Sequence, residues 1–148
     1  HSLRLNGAIL GTPDNPAIAI HSNQGITFDL AKIRKSIEGL AITEFRALAG
    51  VSETVKEALE DEQLSDQEEF KKKLLEAQRS KVVFKVFVDG KSVFDETVCS
   101  DEKPQKINIP VKENDRFLTL VVTESDDSHA FDWAVFARPE LALDSAKR

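Results

Sequence analysis

Apolar and polar positions along this chain alternate mostly with a period of two, the signature of strands that bury one face. Two such runs, 82-VVFKVFV-88 and 91-KSVFDE-96, flank Asp89-Gly90, so the spacing predicts a hairpin closed by a type I′ turn. The run 117-FLTLVVT-123 sorts Leu118, Leu120 and Val122 to one face and Thr119 and Thr123 to the other. Further strands are expected in 15-NPAIAIH-21, 25-GITFDL-30, 44-EFRALAGV-51, 105-QKINIPV-111 and 134-AVFARPEL-141. In the last of these, Ala134, Phe136 and either Ala137 or Val135 are expected to point inward, with Pro139 ending the strand at a sheet edge. Roughly eight short strands with regular turn signals predict a mainly β fold, an antiparallel sandwich or jelly roll.

Residues 53–79 break this pattern. Ser52 is placed to cap a first helix, and Ser65 with Glu68 has the capping-box spacing of a second. Val55 and Leu59, and again Phe70 and Leu74, sit four apart, which gives each helix one narrow apolar stripe. The expectation is a helical hairpin inserted into a single domain spanning 1–148. Nine acidic against five basic residues give the insert −4 of the chain's net −6. It reads either as a solvated decoration or as a surface that docks a neighbouring domain.

At 148 residues the chain is long enough to bury a core without covalent staples. The acidic balance argues against nucleic acid, whose phosphates want clustered Lys and Arg, and no apolar run approaches the length of a membrane span. The single Cys99 can form no internal disulfide. A chain that lacks methionine and begins at His1 reads as a piece of a longer protein. No nucleophile elbow, Walker loop or metal-ligand spacing is present, so a non-catalytic role is expected.

Two polar clusters fall between the apolar runs. One is 20-IHSNQGI-26, with His21 and Asn23. The other is 124-ESDDSHAFDW-133, which ends in His129, Asp132 and Trp133. An aromatic face against sugar C–H groups, beside planar polar side chains that read hydroxyls, is the mixture a carbohydrate needs. The same residues also fit a bracing role, with Trp133 in the core and Asp132 shaping a turn. Glu124, Asp126 and Asp127 could hold a hard cation such as calcium, although their spacing matches no standard loop.

In order along the chain, 21-HSNQGITFDL-30, 45-FRALAGV-51, 82-VVFKVFVDGKSVFDE-96, 117-FLTLVVTES-125 and 129-HAFDWAVFARPEL-141 resemble the NPCBM domains, which are close to the family 51 carbohydrate-binding modules. The resemblance implies a galactose-binding-like β-sandwich serving as a non-catalytic module of an extracellular or periplasmic multidomain protein such as a glycoside hydrolase. It further implies galactose-type glycans as ligand, neighbouring domains of the parent protein as partners, and a structural calcium as the one metal to expect. Position by position it makes His21, Asn23, His129, Asp132 and Trp133 the candidate carbohydrate-binding residues. The chain departs from the pattern at Phe131 and around Phe136, and in the insert at 53–79. A protein-interaction or spacer domain of the same fold, docking through that insert, is the alternative.

Overall fold

The computed structural model describes residues 4, 5, 7–52, 81–99, 102–125 and 134–145; the helical hairpin expected over 53–79 lies outside them. In chain order the elements are β1 (Arg4–Leu5), β2 (Ala8–Ile9), β3 (Ala17–Ile20), β4 (Gln24–Asp29), α1 (Leu30–Ser36), β5 (Leu40–Val51), β6 (Lys81–Val88), β7 (Lys91–Cys99), β8 (Gln105–Pro110), β9 (Phe117–Glu124) and β10 (Ala134–Ser145). Two four-stranded antiparallel sheets, ordered β3-β10-β5-β8 and β4-β9-β6-β7, face each other, and β1 and β2 form a separate ribbon. This is the antiparallel sandwich that the alternating pattern predicts.

The period-two positions build the interior. Val82, Phe84, Val86 and Val88 of β6 and Leu118, Leu120 and Val122 of β9 face Phe45, Ala47 and Ala49 of β5 and Ile107 and Ile109 of β8. Phe84 and Phe136 meet edge to face across the two sheets, with ring centroids 5.2 Å apart and planes at 84°.

β10 does not alternate, because both of its faces are covered. Ala134 and Phe136 join the inter-sheet core, while Val135 and Ala137 pack under Leu5 and Leu10 on the outer side. Gly50, on the neighbouring strand, lets Leu5 approach; a Cβ there would collide with its side chain. Pro139 does not end the strand at an edge. β10 lies between β3 and β5 and continues to Ser145, with the pairing register shifting between Ala137 and Glu140. Arg138 and Pro139 form a bulge there, where the missing proline N–H costs no ladder bond. Arg138 takes φ 48°, and its N–H donates to the Pro16 carbonyl at 2.8 Å.

α1 is an element the alternation does not announce. Asp29 caps it, accepting from the N–H groups of Ala31 at 3.0 Å and Lys32 at 3.3 Å. Leu30, expected at the end of a strand, is instead its buried first residue.

The β6–β7 hairpin turns at Asp89 (φ 49°) and Gly90 (φ 79°), the left-handed pair that a type I′ turn requires. The Asp89 carboxylate accepts from the N–H of Phe117 at 2.8 Å and of Arg116 at 3.1 Å, tying the hairpin tip to the start of β9. These bonds, that of Phe117 foremost, hold its carboxyl below the usual range. A carboxyl depressed by folding adds stability that is present above its unfolded pKa and is lost as pH falls through the folded value. Asp89→Asn is therefore expected to be less stable than the parent at pH 7 in urea denaturation. That difference should shrink as pH falls below about 4. A gap unchanged at low pH would place the contribution in packing rather than charge.

Candidate functional site

Hydrogen-bond register gathers one set of connections at one end of the sandwich. Ala134, where β10 begins, pairs with Ile20 at the end of β3 and with Val51 at the end of β5. Val82 near the start of β6 pairs with Glu124 at the end of β9, and Gln24 at the start of β4 pairs with Val122. The turn after Ile20, the connection leaving Ser52 and the one leaving Ser125 thus all start from this end. His21 and Asn23 lie on the first of them. His129, Asp132 and Trp133 lie outside the described residues, but the strand ends that flank them, Ser125 and Ala134, are here.

His21 is exposed, and its side chain makes no hydrogen bond among the described residues. Asn23 is exposed too, and it is tied to β9. It holds φ 63°, a left-handed conformation that asparagine tolerates better than most residues. Its backbone N–H donates to the Val122 carbonyl at 2.7 Å. Its Nδ2 donates to Glu124 Oε1 at 2.6 Å, and the Glu124 N–H donates back to Asn23 Oδ1 at 3.4 Å. This reciprocal clasp fastens the β3–β4 turn to the end of β9, one residue before the chain runs toward the 126–133 segment. Asn23 is tied to Glu124, whereas the His21 side chain has no partner among the described residues.

Glu124, offered by the sequence with Asp126 and Asp127 as a cation ligand, takes a partner that sequence reasoning missed. Its partner lies 101 positions away, and only the pairing of Gln24 with Val122 brings the two together. Asp126 and Asp127 lie outside the described residues, and among those described no group of three His, Cys, Asp or Glu side chains could hold a metal ion.

A concavity of about 300 Å³ opens where β3 and β4 leave the sandwich edge unsealed. Ile18, Phe28, Ile33 and Leu141 line it beside the single charged Glu140, a lining without the convergent polar groups that sugar hydroxyls need. No helix among the described residues is long and apolar enough to cross a membrane.

The clasp makes a measurable claim. In a double-mutant cycle of Asn23→Ala and Glu124→Ala, thermal or urea unfolding is expected to give a coupling of about 1 kcal/mol. Asn23→Gly, which keeps the left-handed turn, should cost less than Asn23→Ala. Additive singles would mean that the contact holds nothing.

The fold recurs in known carbohydrate-binding modules. The family 51 module of a Clostridium perfringens GH95 protein, solved in complex with methyl-galactose, superposes with a TM-score of 0.63 at 20% identity, covering 95% of this chain and 79% of that one. A structure of the second family 51 module and INT domains of Clostridium perfringens ZmpB, in complex with GlcNAc, gives 0.63 at 19% identity over 95% of this chain and 25% of that one. The tandem family 51 modules of the Streptococcus pneumoniae family 98 glycoside hydrolase Sp3GH98 give 0.60 at 16% identity over 99% and 37%. The chain thus spans only a quarter to about a third of the two longer structures. None of the curated proteins compared with the chain matches it. The model of the NPCBM/NEW2 domain matches residues 17–142, from the first strand of the sandwich to the last, and the chain belongs to that family.

Proposed function

We propose that this domain is a non-catalytic carbohydrate-binding module of a larger extracellular protein, and that it takes galactose-type glycans at the end of the sandwich carrying His21. The observation that carries the reading is His21 itself: exposed, without a side-chain hydrogen bond among the described residues, and set at the same end of the sandwich as the strand end from which residues 126–133 depart. In this reading His21, His129 and Asp132 read hydroxyls, Trp133 offers a face to the sugar ring, and the Asn23–Glu124 clasp holds the turn in place. A bare His is a sound hydroxyl partner because one ring nitrogen donates and the other accepts. Galactose is the first sugar to try because a neighbour of this fold was solved with methyl-galactose, and GlcNAc is the second for the same reason.

Such a module works by effective concentration. Weak binding to a glycan keeps an attached partner near its target, and linked sites gain affinity without new contacts. An isolated domain with a shallow end-on site is expected to bind with a Kd of about 1 mM.

A glycan array probed with the domain, with calcium and again with EDTA, tests the reading. Binding to galactose-containing glycans is expected, and His21→Ala and Trp133→Ala, each checked for native folding, should reduce it about tenfold or more. Loss of signal in EDTA would add calcium to the site. A folded domain that binds no glycan on a galactose- and GlcNAc-rich array would overturn the proposal.

A further inference from the structure

The outer face of the β3-β10-β5-β8 sheet is only half covered. Leu5 and Leu10 lie over Val135 and Ala137, and beyond them the sheet opens into a depression of about 470 Å³. Register sets its layout. Lys106 of β8 pairs with Leu48 of β5, and Leu48 with Ala137 of β10; one row on, Asn108 pairs with Arg46. With strands about 4.8 Å apart, Lys106 and Ala137 stand about 10 Å from each other across Leu48. The half-buried Leu48 thus forms an apolar floor between polar walls.

The walls are basic, on a chain whose net charge is −6. Lys106 is exposed and has no ion-pair partner among the described residues. Arg138 is held by its N–H to Pro16 and by Nε to Asn15 Oδ1 at 3.0 Å, which leaves its two Nη groups uncommitted. It sits in the β10 bulge at φ 48°, a costly conformation for a residue with a side chain, and a bulge re-aims the side chain it carries. Arg46 is the fixed third cation. Its Nε donates to Glu44 Oε1 at 2.9 Å and its Nη1 reaches Glu140 Oε1 at 3.6 Å. The Asn108 amide nitrogen, turned to face acceptors, donates to the same Glu44 oxygen at 3.2 Å. Both carboxylates of this face are therefore engaged with Arg46, and Lys106 and Arg138 remain to meet an anion.

We propose that this depression is a second binding site, distinct from the His21 end, for a sugar residue bearing a carboxylate or a sulfate. The anion would sit between Lys106 and Arg138, with the sugar ring against Leu48. The charge follows from these side chains alone, and the choice of a sugar rests on the carbohydrate-binding reading above.

NMR titration of the isotopically labelled chain tests it. The probes are methyl glucuronide, galactose 6-sulfate, neutral methyl galactoside and sodium sulfate, each taken to about 20 mM, well above a Kd of about 1 mM. Either acidic sugar should shift the Arg138 and Arg46 Nε–H signals and the Lys106 amide, and the effect should weaken with added salt. Which of the two binds decides between uronic and sulfated glycans. Lys106→Gln, an exposed change with no fold to disturb, should weaken binding about tenfold, and Arg138→Gln should do the same. Equal shifts with sulfate alone would reduce the site to an adventitious anion and overturn the proposal. So would the absence of shifts, or shifts that survive both substitutions. Because signals of Asn23 and His21 report the other end in the same spectra, neutral sugar binding there would stand whatever happens here.

Discussion

The burial of Ala134 to Ala137 on both faces of the sheet is the constraint on which the rest of the molecule depends. Those four residues tie the edge strand β3 to β5, supply Phe136 to the contact with Phe84 across the sandwich, and give the β1–β2 ribbon a surface to cover. Filling both faces with apolar atoms leaves no room for adjustment, because an interior this closely packed registers the loss of even one methylene. The bulge at Arg138 and Pro139 follows from that rigidity. Once the strand passes the ribbon its outer face becomes polar, and the register shift lets a central strand accommodate a proline.

The two ends of the sandwich are built differently. At one end short turns are bolted down by polar groups. Asp89 fastens the hairpin tip to β9, and the Arg34 guanidinium of α1 donates to the Asp115 carbonyl and, at 2.9 Å, to that of Lys112. At the other end the chain runs off the strands into its two longest connections, anchored at Ser52 and Ser125, with the Asn23–Glu124 clasp beside the second. Recognition residues commonly collect on connections held by a fixed scaffold of strands.

Much of the sandwich was legible in the sequence because period-two patterning and turn chemistry are local. The alternation of β6 and β9 and the Asp89-Gly90 turn needed no tertiary information, and each of the eight expected runs holds a sandwich strand, although β5 begins four residues earlier and β10 ends four residues later than expected. Features set by distant partners were not legible. Pro139 reads as a strand terminator until β3 is known to diverge at Pro16. The helix α1 has only Asp29 to announce it, seven residues being too short for a clear apolar stripe. The candidate site divides in the same way. His21 stands as an open side chain where a loop residue would be expected, whereas the bracing role of Asn23 depends on Glu124, a neighbour only through the β4–β9 register. His129, Asp132 and Trp133 keep their place as candidates on sequence and family resemblance.

The central claim is that sugar is recognised at the end of the sandwich where β3 hands over to β4 and β10 begins. A crystal structure of the domain grown with methyl-galactoside tests it most directly. The account predicts a sugar within hydrogen-bond distance of a His21 ring nitrogen, with the Asn23–Glu124 clasp intact. A sugar bound elsewhere, with the His21 end empty and accessible in the lattice, would contradict it.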